Sequence, residues 1–207
     1  MLRRFAPGSF PRFLPFQGGA LFLAGEGPEG TLRLWASDGT PAGTAELLGF
    51  APGSGRRLPL PAGSPILLAP LTPAFSIPLN LTPVGDRLLF AAQDPEHGTE
   101  LWTTDGTSEG THLLADLQPG AGSSNPQDFT AAGNLLFFSA DDGTFGRELW
   151  ESDGTPEGTR RVSDIAPGGF SSLFGFPFQP VASNGFLFFV ADDGQTGLEP
   201  WALRLEP

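Results

Sequence analysis

An all-β fold, a β-propeller of four four-stranded antiparallel blades, is what this sequence predicts, and three observations carry the prediction. A tryptophan recurs at positions 35, 102, 150 and 201 in one repeated frame, at spacings of 67, 48 and 51 residues. Between the tryptophans lie strand-length apolar runs separated by Gly, Pro, Asn and Asp, with no helical period to compete. Those runs do not alternate: Leu136, Phe137 and Phe138 face both sides of a strand, so both faces of the sheet must be covered. Small sheets stacked on one another through both faces are propeller blades, and a repeat near 50 residues fits that architecture.

The elements follow in order within each unit. A first strand reads FLPF, LTPV, FTAA or PVAS, and none of the four carries an ionisable side chain. A second reads ALFLAG, RLLFAA, LLFFSA or FLFFVA, followed by the turns EGPEGT, QDPEHGT, DDGTFGR and DDGQTGL. The third holds the tryptophan as [ER]-[LP]-W, then S/T-D-G-T-x-x-G-T in the first three units. Asp38, Asp105 and Asp153 open that turn, where Gly adopts angles that other residues resist and Asp and Thr side chains satisfy free amides. A fourth strand resembling TRRVSDI leads to a Pro-Gly exit. The repeated residues Trp35, Trp102, Trp150, Trp201, Asp38, Asp105 and Asp153 therefore read as fold machinery.

The units span about 9–50, 51–117, 118–166 and 167–207. Residues 1–8 supply the outer strand of the last unit, because Phe5–Gly8 copies Ile165–Gly168. Pairing the two ends removes an exposed edge. The N-terminus has two arginines and apolar residues, but prolines and glycines break it below the roughly 7–15 apolar residues of a signal peptide. It reads as repeat sequence.

Bulk composition excludes several functions. The chain has 207 residues and a net charge of −12, with 11 basic residues, which argues against a nucleic-acid partner. No apolar run has the length of a membrane span. The absence of cysteine excludes disulfides and thiolate metal sites.

The ELWESDGTPEGTRRVSDIAPG segment, its copies and the whole of 136–168 resemble the bacterial ELWxxDGT repeat family, also labelled hyalin-like. That resemblance covers nearly the whole chain. It implies a secreted or surface-exposed protein with tandem blades and no catalytic residues to carry over. Arg33 replaces the Glu of ELW, Pro200 replaces its Leu, and the last unit lacks DGT.

Four constellations offer chemistry beside a structural reading. The paired carboxylates Asp141–Asp142 and Asp192–Asp193 could supply some of the six to eight oxygens calcium takes, or simply build hairpin turns. Calcium is the one cofactor left open. Asp38, Asp105 and Asp153 resemble sialidase-type turns loosely, but the chain has no tyrosine nucleophile. Glu100, Glu148 and Glu199 recur at one position, as a glycosidase pair or as members of cross-strand pairs, the latter favoured. His97 and His112 each occur in one repeat and read as solvated.

One length anomaly remains. The first spacing exceeds the others by 16 to 19 residues, and the excess lies in an apolar, Pro-rich insertion at 61–80. Ile66, Leu67, Leu68, Leu71, Phe75 and Ile77 form either a partner surface or a lid over the channel. The expected function is a monomeric, non-enzymatic binding, adhesion or scaffold module with a protein or glycan partner. The rivals are a carbohydrate-active hydrolase using Asp141 and Asp192, and a structural fragment of a longer repeat protein.

Overall fold

A computed structural model describes residues 13–16, 18–26, 31–40, 42–49, 79–94, 96–107, 109–173 and 180–205. Fifteen strands, and no helix, are assigned among them. The first sheet holds β1 (Phe13–Phe16), β2 (Gly19–Glu26), β3 (Thr31–Ser37) and β4 (Thr44–Gly49). The second holds β5 (Leu79–Val84), β6 (Arg87–Asp94), β7 (Gly98–Thr104) and β8 (His112–Ala115). The third holds β9 (Gln127–Ala132), β10 (Leu135–Asp141), β11 (Arg147–Ser152) and β12 (Arg160–Arg161). The fourth has three strands, β13 (Val181–Ser183), β14 (Phe186–Asp192) and β15 (Leu198–Arg204). Every sheet is an antiparallel meander in chain order.

Register repeats with the sequence. The second strand of each sheet sets a phenylalanine opposite the tryptophan of the third: Phe22 with Trp35, Phe90 with Trp102, Phe138 with Trp150, Phe189 with Trp201. In the third sheet the Phe138 and Trp150 rings lie 6.5 Å apart at 26°, a stacked pair worth more than its buried area alone. First strands bulge at matched places. Asn80 (φ 61°) and Asp128 (φ 59°) sit where the pairing with β6 and β10 shifts register.

The sheets stack in series through three apolar layers. Leu34 and Leu47 of the first sheet meet Leu88, Phe90, Ala92 and Trp102 of the second. The other face of the second sheet presents Val84, Leu89, Leu101 and Leu114 to Leu136, Phe138, Ala140 and Trp150 of the third. Phe137 and Leu149 on the far face of the third meet Leu187, Phe189 and Ala191 of the fourth. The second, third and fourth sheets thus each offer their Phe–Trp face to the sheet before. This is the covering of both faces that the non-alternating runs require.

Three expectations need correction. The fourth apolar run is covered on one face only: β14 alternates exposed and buried, and Phe186, Phe188 and Val190 stand 38, 46 and 53 % exposed. No described element packs on that outward side, so hydrophobicity on both faces does not bring burial there. The last strand of the third unit is shorter than TRRVSDI, because after one further bond (Val162 N–H to Leu149 O, 2.8 Å) the chain leaves the sheet. Residues 79 and 80, placed in the 61–80 insertion by spacing, begin β5. Residues 1–8, expected from the sequence to supply the outer strand of the fourth sheet, lie outside the described residues.

Phe138 is fully buried between two sheets, so Phe138→Ala should cost about 3–5 kcal/mol in urea unfolding. Val190→Ala on the outward face should cost under about 1 kcal/mol.

Candidate functional site

The three S/T-D-G-T-x-x-G-T segments fold into one hydrogen-bonded turn. Asp38, Asp105 and Asp153 each accept two bonds at Oδ1, from the amide and hydroxyl of Thr40, Thr107 and Thr155, all at 2.7–2.9 Å. That threonine hydroxyl accepts the amide of Gly43, Gly110 or Gly158 at 2.9–3.0 Å. Its carbonyl accepts the hydroxyl of Thr44, Thr111 or Thr159 at 2.6–2.7 Å.

Those last hydroxyls also lie 2.6–2.7 Å from Ser37, Thr104 and Ser152. A hydroxyl has one hydrogen, so Ser37, Thr104 and Ser152 donate and the threonines accept. Each of the three donors accepts in turn from the amide of Gly39, Gly106 or Gly154. The result is a directed chain of bonds closing the turn.

Both glycines have reasons. Gly39, Gly106 and Gly154 share φ of 88°, which side chains resist. At Gly43, Gly110 and Gly158 a Cβ would collide with the aspartate carboxyl. Hydrogen bonds from the amide and hydroxyl of Thr40 hold Asp38 below the usual carboxylate range. The Thr155 hydroxyl does the same for Asp153. Burial pushes Asp105 up, but Thr107 outweighs it and the net shift is downward.

The paired carboxylates cap hairpin turns. Asp141 and Asp192 accept from Gly143 N–H and Gly194 N–H at 2.8 and 2.7 Å. Asp142 accepts from the amides of Thr144 and Phe145, and Asp193 from those of Gln195 and Thr196. Among the described residues no group of three or more His, Asp or Glu is arranged to hold a metal ion.

Glu100 and Glu148 are where the sequence reading fails. Their cross-strand neighbours are Ala92 and Ala140, not charged groups, and both carboxyls are fully buried. Glu148 accepts from Ile165 N–H (3.1 Å), Ser172 N–H (3.2 Å) and Ser172 Oγ–H (2.8 Å). Glu100 accepts from Leu117 N–H (3.0 Å), Ser124 N–H (2.7 Å) and the Ser124 hydroxyl. The contacts fall 17 and 24 residues downstream in both units.

The preceding serines add a second tie: Thr99 N–H bonds Ser123 Oγ, and Arg147 N–H bonds Ser171 Oγ. Finally Asp141 N–H bonds Ser124 O and Asp192 N–H bonds Ser172 O, in the following sheet. The Pro-Gly-x-x-Ser-Ser strap therefore joins the second sheet to the third and the third to the fourth, with the glutamate as its anchor. The signal was present as Ser123–Ser124 and Ser171–Ser172, but the partners are too distant in sequence for any local pattern to pair them. Burial pushes both glutamates up, partly offset by these donors.

The tryptophans 35, 102 and 150 are 1, 3 and 8 % exposed, while Trp201 on the edge strand β15 is 39 % exposed. Glu199, third of the repeated glutamates, is also exposed. His97 is not simply solvated: its Nδ1 lies 2.8 Å from Asp94 Oδ2, and that bond raises its pKa. His112 is exposed. Sequence reading also missed an ionisable group in a first strand. Asp128 of β9 accepts from Ser139 Oγ–H (2.9 Å), while Arg147 Nη1 donates to Ser139 Oγ and to the Asn125 and Ser139 carbonyls. Burial pushes Asp128 up and Arg147 down. Ile66, Leu67, Leu68, Leu71, Phe75 and Ile77 lie outside the described residues. No helix among the described residues is long and apolar enough to cross a membrane. No family model and no curated protein matches the chain.

Glu148→Ala leaves buried donors unpaired and should cost about 2–4 kcal/mol, against about 0.5 or less for the exposed Glu157→Ala, read by denaturant unfolding. Gly158→Ala should destabilise by about 1–3 kcal/mol, whereas an unhindered site would tolerate it.

The pH dependence has two opposed parts. Glu100 and Glu148 hold a proton more tightly folded than unfolded, so they add stability as pH falls from neutral toward 4.5, their unfolded value. The lowered aspartates contribute stability above 3.8 that is lost as pH falls through their folded values. Melting midpoints should therefore gain less between neutral pH and 4.5 in Glu148→Gln than in the parent. An identical pH slope would refute the assignment.

Proposed function

We propose that the chain is a four-bladed β-propeller of the ELWxxDGT type, its ring closed by residues 1–8, serving as a non-catalytic binding, adhesion or scaffold module outside the cell. One observation carries the reading: the repeated acidic residues of the second and third sheets are spent on the fold. Glu100 and Glu148 anchor straps, and Asp105 and Asp153 close turns. Serial stacking supports the propeller, as does the approach of β9 to both β5 and β13, the first strands of neighbouring sheets. First strands converging at the centre are what a propeller axis requires.

Function then belongs to surfaces rather than to the repeated motif. The expected partner surface is the 61–80 insertion. Replacing 61–78 with a short turn should abolish capture of a protein or glycan ligand while leaving the melting midpoint within a few degrees. Intact capture by that variant would exclude the insertion as the partner surface. A fluorogenic glycoside panel tests the non-catalytic part. We expect no turnover above background, and turnover lost in Asp141→Asn or Asp192→Asn would establish the hydrolase instead.

A further inference from the structure

A cleft opens between the third and fourth sheets, where the preceding junction is filled. Its volume is about 390 Å³, and Leu135 and Phe137 of β10, Val162, Leu203 of β15 and Leu205 form its apolar part. Register explains the opening. Leu135 and Phe137 stand three and one residues before Phe138, as Arg87 and Leu89 stand before Phe90. Between the second and third sheets that place is taken by a DGT turn: a Cβ on Gly154 would lie 3.3 Å from Arg87 and 3.7 Å from Leu89. The fourth unit has no such turn. Counted from the tryptophan, Leu205 stands at the position of Gly154, and its N–H bonds Gly185 O at 2.8 Å. A leucine thus stands where the hydrogen-bonded turn stood, and the cleft lies beside it.

The charge at this place is also reversed. Three residues after the tryptophan, where the other units carry Asp38, Asp105 and Asp153, the fourth carries Arg204. Arg204 borders the cleft, is exposed, and has no hydrogen bond or ion pair among the described residues. Arg160 and Glu151 also border it, joined by bonds of 2.6 Å from Arg160 Nε and Nη2 to Glu151 Oε1. That pair is neutral, and it spends two of the five guanidinium N–H donors of Arg160. Arg161 lines the cleft as well, but its guanidinium is committed elsewhere, 3.5 Å over the Phe145 ring. Three of the chain's 11 basic residues therefore meet at one cleft, in a protein of net charge −12.

We propose that this cleft binds a small organic anion, with an apolar body against Leu135, Phe137 and Leu205 and one carboxylate or sulfonate head on Arg204 and the unspent donors of Arg160. Arginine suits such a head because its planar fork meets two oxygens at once. An apolar wall with a few polar groups is the make-up of small-ligand sites, whose volumes run from about 300 to 1,000 Å³. A cation fits poorly, since the carboxylate of Glu151 is already neutralised. The site is separate from the 61–80 surface and from ring closure, and depends on neither.

Fluorescence titration of the full chain with 1-anilinonaphthalene-8-sulfonate tests the site, with N-phenyl-1-naphthylamine as the uncharged analogue. The parent should bind the sulfonate saturably. Arg204→Glu, at an exposed position, should leave the melting midpoint within about 2 °C. It should weaken the sulfonate about 10-fold or more and the uncharged dye less than about twofold. Leu205→Trp, which fills the cleft, should weaken both dyes. Because such dyes also favour exposed apolar surface, Phe188→Ser locates them, and it should leave the affinity for both unchanged. Sulfonate affinity unchanged in Arg204→Glu, or an equal loss of both dyes, overturns the anion assignment. Binding that survives Leu205→Trp, or that is lost only in Phe188→Ser, lies on the outward face and overturns the cleft. A parent that binds neither dye saturably overturns both.

Discussion

Strands β6 and β10 are apolar on both faces, and everything else follows from covering them. A four-stranded sheet can turn one face to water, but one with leucine and phenylalanine on both faces needs a neighbour on each side. The second sheet has the first on one side and the third on the other; the third has the second and the fourth. Stability is then a series of intrinsic sheet terms and nearest-neighbour layers, as in other repeat proteins. Weakening one layer weakens two sheets. The Phe–Trp pair recurs at one register position in the second, third and fourth sheets, so each layer receives the same pair of wide side chains.

Apolar layers are non-directional, and they would permit neighbouring sheets to slide or rotate. The polar repeats supply direction. A fully buried carboxylate is costly unless its oxygens are satisfied, and Glu100 and Glu148 reach three donors each only when the strap is seated. Two of those donors are backbone amides, so the anchor fixes the path of the main chain rather than one rotamer. The same strap then donates its carbonyl to the next sheet. The junctions of the second sheet with the third and of the third with the fourth therefore each have one arrangement that satisfies both the anchor and the layer. The DGT turns act at the other end of the third strand, where a directed chain of hydroxyls fixes the entry to the fourth.

The fourth sheet shows what happens when these partners are not at hand. Phe186 and Phe188 face outward, its tryptophan is partly exposed, and Glu199 has no strap among the described residues. Chemically it is the same repeat, with FLFFVAD and an aligned tryptophan, and its strands form the same meander. The difference lies in what packs against it. Exposed apolar surface and an unpaired edge are interaction surfaces in any sheet protein.

Sequence alone determined the number of sheets, their meander order, the strand positions to within a few residues, and the turn role of Asp38, Asp105 and Asp153. These are local properties: strand length, turn chemistry and a motif whose partners lie within seven residues. Tertiary structure decided the roles that depend on distant partners. Glu100 and Glu148 look alike with Glu199 in sequence, yet two are buried anchors and one is exposed, because the deciding serines lie 24 residues downstream. Asp128 shares a network with Arg147 that no pattern announces, since a register shift at Ser139 brings them together. Phe137 and Phe188 occupy matching positions in two strands, and only the presence of a neighbouring sheet makes one core and the other surface. Burial is a property of what comes to cover a residue, and a strand's own sequence states only the need.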